Sequence, residues 1–343
     1  MVCSKCKKEL MDDMAFCPYC GNKVEKAVCS KCGAPLVADA KFCSSCGAPA
    51  EQTTPADDEK SQLIENAPIS EEAFPKSSVL QESHTAKDDN KPITLYAADI
   101  DGGALNANLV NVIIDDSVTE IKEKAFSGCK ELTSITIPNS VTEIGEHAFE
   151  ACENLTSITI PNSVTEIGEY AFEACENLTS ITIPNSVTEI GEYAFNKCTN
   201  LTSITIPNSV TKINQYAFCD CTNLTSITIP NSVTVIEAYA FTFCKNLTII
   251  TIPNSVTEIG ISAFQGCTNL TSITIPNSVT KIGKAAFYGC TNLTSITIQN
   301  SATEIGWWAF EGCTNLTSIR IPNDTQIDSN AFEGCDKLKI IRY

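Results

Sequence analysis

A chain of 343 residues that is 43% hydrophobic has enough apolar material for a buried core and too much for wholesale disorder. Its 23 basic residues face 41 acidic ones, a formal charge of −18, which argues against a nucleic-acid footprint because phosphate binding needs clustered Lys and Arg. The opening residues, MVCSKCKKEL, contain no apolar signal region and no run of 18 apolar residues occurs anywhere, so a cytoplasmic protein with no membrane span is expected, its 19 cysteines held as zinc thiolates or buried thiols.

Residues 1–50 hold two copies of C-x2-C-x10-C-x2-C: Cys3, Cys6, Cys17 and Cys20, then Cys29, Cys32, Cys43 and Cys46. Two residues between paired cysteines let one tight turn aim both thiolates at a single ion, and two such turns complete a tetrahedral shell. Each unit (1–25 and 26–50) is too small to bury a sufficient core, so metal binding and folding are expected to be one event, with two structural Zn2+ per chain. The segments FCPYCGNKVE and FCSSCGAPAE resemble the double zinc-ribbon domains at the N-termini of many bacterial proteins. That resemblance implies closed structural sites with no open position for a substrate. Seven Lys against five Asp and Glu in this region, beside two zinc–thiolate centres of about −2 each, favour a protein or structural role over nucleic-acid binding.

Residues 51–92 hold ten acidic residues, four Lys and four Pro with no sustained apolar period, and read as a disordered acidic linker. The ribbons are therefore expected to be tethered flexibly to the C-terminal part of the chain.

From residue 93 to 343 a 23-residue period governs every column. Cys129, Cys152, Cys175 and their successors to Cys313 are evenly spaced, and Phe126, Phe149, Phe172 and their successors to Phe310 run parallel to them. Large residues held at fixed spacing are the mark of a solenoid, in which each coil buries its apolar face only against its neighbours. In LTSITIP the alternation of Leu132, Ile135 and Ile137 with Ser134 and Thr136 predicts a short strand, ended by Pro138. Val141, Ile144, Ala148 and Phe149 predict a second inward limb, with Gly145 permitting the bend between them. Ten units begin at Leu109 and every 23 residues thereafter to Leu316, and ITLYAADIDGGALNAN is expected to cap the first.

The pattern C-x2-L-x2-I-x-I-P-x2-V-x2-I-x3-AF resembles the BspA-like branch of the leucine-rich repeats. The resemblance implies a right-handed, mainly β solenoid with a parallel sheet on one face, used for adhesion or protein binding. The pattern departs from the commoner leucine-rich consensus, because Ser140 is followed directly by Val141, which leaves the usual buried Asn ladder without its Asn.

Two histidines, no phosphate-cradling glycine motif and no nucleophile constellation leave catalysis without support. The function expected is a non-enzymatic protein-interaction scaffold, monomeric, with zinc ribbons tethered to a binding solenoid. The alternatives are a cell-surface adhesin exported without a recognisable signal and, more remotely, a Ser-x-Thr ladder similar to ice-binding solenoids. The column before each Ala-Phe pair varies and is rich in anchoring aromatics: Tyr170, Tyr193, Tyr216, Tyr239 and Trp308 are the expected partner-binding residues, on an exposed face flanked by the glutamates of the early repeats. Cys219, off the cysteine column, is the thiol expected to be exposed. Metal analysis of reduced protein should find two zinc ions per chain, and Cys17→Ser should lower that number to one while the far-ultraviolet signal of the repeats persists.

Overall fold

The computed structural model describes residues 92–100, 105, 108–299 and 302–343. The eight ribbon cysteines, both ribbon domains and the linker up to residue 91 lie outside them.

The predicted strand is present in each repeat: in Ser134–Thr136 the outer residues are exposed and Ile135 is buried, and the same pattern recurs in Ser157–Thr159, Ser180–Thr182 and Ser203–Thr205. Pro138 follows after Ile137, and its carbonyl accepts the N–H of Val141 at 3.2 Å, turning the chain toward a second, two-residue strand at Glu143–Ile144. All strand pairings are parallel and join residues one repeat apart, as in Ser180↔Ser203↔Ser226 on the first face and Glu143↔Glu166↔Glu189 on the second. The first face carries a three-stranded sheet (Ile93–Leu95, Asn111–Ile114, Ser134–Thr136) and a nine-stranded sheet from Ser157–Thr159 to Lys339–Arg342. The second carries a four-stranded sheet from Glu120–Ile121 to Glu189–Ile190 and a six-stranded one from Lys212–Ile213 to Gln326–Ile327. The expected cap is an extra rung: Ile93–Leu95 pairs with Asn111–Ile114, and Leu95 and Ile100 are buried beneath it.

The core is built from identical columns. The phenylalanines from Phe126 to Phe310 are fully buried, and consecutive rings stack with centroids 5.2–5.5 Å apart. Beside them each cysteine thiol donates to a phenylalanine carbonyl, as Cys152 Sγ does to Phe126 O and Cys175 Sγ to Phe149 O, both at 3.2 Å. A small, weakly polar side chain thus fills the core and satisfies a backbone acceptor at once. Burial pushes the Cys175 thiol up to about 12, and its column neighbours also lie above the usual thiol range, so these are structural groups and not nucleophiles.

Two expectations need correction. Gly145 is needed for a close approach and not for a bend: a Cβ there would meet Glu123 N and Ile121 O at 2.9 Å, and Gly168 is tighter still, at 2.7 Å from Glu146 N. At the position where the commoner consensus has its Asn, the Ser140 hydroxyl donates to Val118 O at 2.6 Å; a separate asparagine ladder runs two residues after the cysteine, where Asn200 Nδ2 donates to Asn177 Oδ1 at 3.1 Å, and Asn223, Asn246, Asn269 and Asn292 continue it. Cys219 is fully buried, because its column (Asn196, Cys219, Thr242, Gln265) turns inward in the middle repeats, and its Sγ lies 3.9 Å from Asp220 Oδ2.

The second sheet is interrupted between Glu189–Ile190 and Lys212–Ile213, where Asn214 replaces the usual glycine. Its side chain restores the lost rung, Nδ2 donating to Ile190 O at 2.8 Å. Phe218→Ala should cost about 3–5 kcal/mol by opening a cavity in the ring column. Gly168→Ala should cost about 1–3 kcal/mol by forcing neighbouring backbones apart. Urea unfolding of the two variants checks both values.

Candidate binding surfaces on the turn face

Each repeat returns from its second strand to its first through a compact turn, and much of the chemical variety of the solenoid is gathered in and beside it. The turn needs two residues per repeat in the left-handed region. His147, Tyr170, Tyr193, Tyr216 and Tyr239 have φ of 55–62°, and Ala151, Ala174, Lys197 and Asp220 occupy the second such position. This conformation aims the backbone N–H along the stack: Tyr170 N donates to Glu192 O at 2.9 Å and Ala174 N to Asn196 O at 2.8 Å. The geometry costs an L-residue about 1–2 kcal/mol, so the rung-to-rung hydrogen bonds must hold it in place.

Because the tyrosine column is in register, its rings stack. From His147 through Tyr170, Tyr193 and Tyr216 to Tyr239 the centroids lie 4.4–4.6 Å apart with planes within 9°. Tyr170, Tyr193 and Tyr239 are half-buried, presenting edges and not faces. Tyr216 is only 5% exposed, which corrects its expected place on an exposed face; rings stack on both its faces. Trp308 belongs to the same column but not to this stack, since Ser262 and Ala285 intervene; Lys284 Nζ lies over its ring at 5.0 Å and Trp307 meets it edge-on.

Beside the tyrosines run two rows of carboxylates separated by the glycine column. Glu143, Glu166 and Glu189 form one row, Glu146, Glu169 and Glu192 the other, and Gly145, Gly168 and Gly191 lie between. Partial burial, then the flanking Glu143 and Glu189, hold the Glu166 carboxyl above its usual range; Glu192 is raised by partial burial and then by Glu169. The row changes sign at Lys212, which pairs with Glu237 at 3.0 Å. No group of three or more metal-ligating side chains converges among the described residues.

Sequence reasoning found the tyrosine column but missed Trp307, the more exposed of the two tryptophans, and the furrow in which it stands. The signal was present: a residue without a side chain, repeated between two polar columns, leaves a trench along the stack.

A repeating 23-residue coil, two parallel strand ladders and a buried Phe–Cys–Leu core match a known family model, described as the BspA type leucine rich repeat region, over residues 105–225 and 211–339. The chain is a BspA-type leucine-rich repeat protein. A double zinc ribbon model matches residues 3–47. Among solved structures, this BspA-type chain is 34% identical to a leucine-rich repeat protein from Bacteroides ovatus, covering 68% of this chain and 63% of that one, with a TM-score of 0.60. It is 35% identical to a leucine rich cell surface protein from Faecalibacterium prausnitzii, covering 69% of this chain and 73% of that one, with a TM-score of 0.47. A comparison with curated proteins finds no match. The ribbon match agrees with the donor chemistry, eight thiols in two equivalent sets being the ligands zinc prefers; Cys3, Cys6, Cys17 and Cys20 would hold one ion and Cys29, Cys32, Cys43 and Cys46 the other.

Burial, above all, raises the hydroxyls of Tyr170, Tyr193 and Tyr216 above the ordinary value near 10. The folded state therefore favours the protonated phenols, and their contribution is complete below pH 10 and lost as pH rises through the higher folded values. The urea midpoint of the repeat protein should stay level from pH 7 to 9 with respect to these groups and fall above about 10. A Tyr193→Phe, Tyr216→Phe double variant should fall less steeply over the same range.

Proposed function

We propose that this protein is a non-enzymatic scaffold whose turn face binds a protein partner, with the zinc ribbons carried as a separate structural module. The observation that supports this is where the repeats differ. The strand face repeats Ser and Thr almost without change, whereas the turn columns run through Glu, Gln, Ala, Ile, Lys and Trp along one line and His, Tyr, Ser, Ala and Trp along the next. A uniform surface reads one rung like another, while a varied one with rigid aromatic anchors can select a partner. Tyr170, Tyr193 and Tyr239 then supply amphipathic edges at the centre of the surface, Tyr216 holds the stack they belong to, and Trp308 stands further along the same column. The flanking glutamates favour a partner whose contact surface is basic.

Two zinc ions, one per ribbon, complete this reading, and cytoplasmic residence fits thiols that serve as hydrogen-bond donors to core carbonyls and so must stay reduced. The similarity to a cell-surface protein of Faecalibacterium prausnitzii supports the alternative of an exported protein. Partners captured from an extract by the full chain should be lost when Tyr170 and Tyr239, the Tyr ends of the stack, are both changed to Ser, and kept when the exposed strand-face residues Thr159 and Thr205 are changed to Lys. The reverse pattern, with circular dichroism unchanged in both variants, would move the site to the strand face.

A further inference from the structure

The glycine column forms a furrow wherever its neighbours carry side chains, and Asn214 and Glu237 fill it in the middle of the stack. Beyond them it reopens as a groove of about 350 Å³. Gly283 and Gly306 form the floor, and a Cβ on either would strike backbone atoms of the preceding rung at 2.7–2.8 Å, so the floor stays at the level of the main chain. One wall is Glu258, Lys281 and Glu304, in strand register; the other is Ile261, Lys284 and Trp307. Asp328 takes the place of the next glycine and ends the trench.

The charges in this groove are not equally engaged. Lys281 lies 3.9 Å from Glu258, and the Lys284 ammonium sits over the Trp308 ring. Glu304 and Asp328 have no ion pair and no side-chain hydrogen bond with any described residue. Across the furrow from Glu304 stands Trp307, 53% exposed. An exposed indole in one groove with two carboxylates that make no ion pair with a described residue is complementary to a cation: the ring face attracts it through its quadrupole and the carboxylates accept its N–H donors. The neighbouring Lys284–Trp308 contact is the same interaction made within the chain. Ile261, 41% exposed at the other end of the furrow, offers an apolar contact to a residue adjoining the cation.

We propose that this groove binds an arginine side chain of a protein partner, the guanidinium lying on Trp307 between Glu304 and Asp328 and the neighbouring apolar residue resting on Ile261. Arginine fits better than lysine because its planar fork can stack on indole and still reach two carboxylates. The site rests on the reading of the turn face as the binding face, but it is a second contact, several rungs beyond the tyrosine stack.

The chain has only two tryptophans, Trp307 and Trp308, so indole fluorescence reports on this groove and nowhere else. Full-length, zinc-loaded protein should show a saturable fluorescence change on titration with the blocked peptide acetyl-Gly-Ile-Arg-Gly-amide. Replacing Arg with citrulline, which keeps the shape and removes the charge, should weaken binding at least about tenfold, the loss expected for removing a charge-assisted pair. The isosteric variant Glu304→Gln with Asp328→Asn should show a comparable loss, with its unfolding midpoint unchanged. Equal binding of the Arg and citrulline peptides, no saturable change at all, or undiminished binding by the neutralised variant would each overturn the proposal. Loss of extract partners on changing the tyrosines while the peptide fails to bind would overturn this site alone; peptide binding with no effect of the tyrosines would instead leave the groove and discard the tyrosine centre.

Discussion

The structure depends on one constraint: each coil can bury its apolar face only against the coil before and the coil after, so every residue that touches a neighbour must recur at 23-residue register. The consequences are visible atom by atom. Phenylalanine rings stack at 5.2–5.5 Å, cysteine thiols donate across the rung to phenylalanine carbonyls, and asparagine amides form a ladder of their own. Register also enforces contacts that would not form by choice. It sets Glu143 opposite Glu166 and Glu166 opposite Glu189, and the resulting crowding, added to partial burial, holds the Glu166 carboxyl above its usual range. The core holds these charges together despite their repulsion.

The same constraint explains where variety is permitted. The variable residues are concentrated in and beside the turn, which holds two left-handed positions per repeat. A stacked column of aromatics and a furrow floored by glycine are both products of that geometry. One gives a continuous rigid ridge, the other a trench whose walls change from wholly acidic in the early repeats to mixed charge and tryptophan in the later ones. A scaffold of this kind carries more than one contact zone along a single face, and the relative position of the zones is set by counting rungs.

Much of the fold was legible in the chain because periodicity and alternation are pattern-level properties. The inward set Leu132, Ile135, Ile137, Val141, Ile144, Ala148 and Phe149 is buried as expected. What was not legible depends on backbone geometry that pattern alone does not carry. A glycine reads the same whether it supplies a positive φ or a close approach, and only the three-dimensional structure assigns Gly145 to the second role. The asparagine ladder escapes a comparison with the commoner leucine-rich consensus, which points to the position of Ser140, while the asparagines in question come two residues after each cysteine. Cys219 reads as exposed because it lies off the cysteine column, and Tyr216 because it lies in the variable aromatic column, yet both are buried. The ribbon cysteines belong to a different kind of inference, in which spacing and donor type identify the chemistry.

Thiol accessibility tests the in-register stack most directly, because eleven cysteines of the repeats, Cys129 to Cys335 with Cys219 among them, are all buried. Brief alkylation of the native, zinc-loaded protein with iodoacetamide, with peptide mass spectrometry as the readout, should leave every one of these thiols unmodified, Cys219 included, and all should react once the chain is unfolded in guanidinium. Modification of any column cysteine in the native protein at the rate seen in the unfolded chain would mean that the coils do not close on one another in the register described.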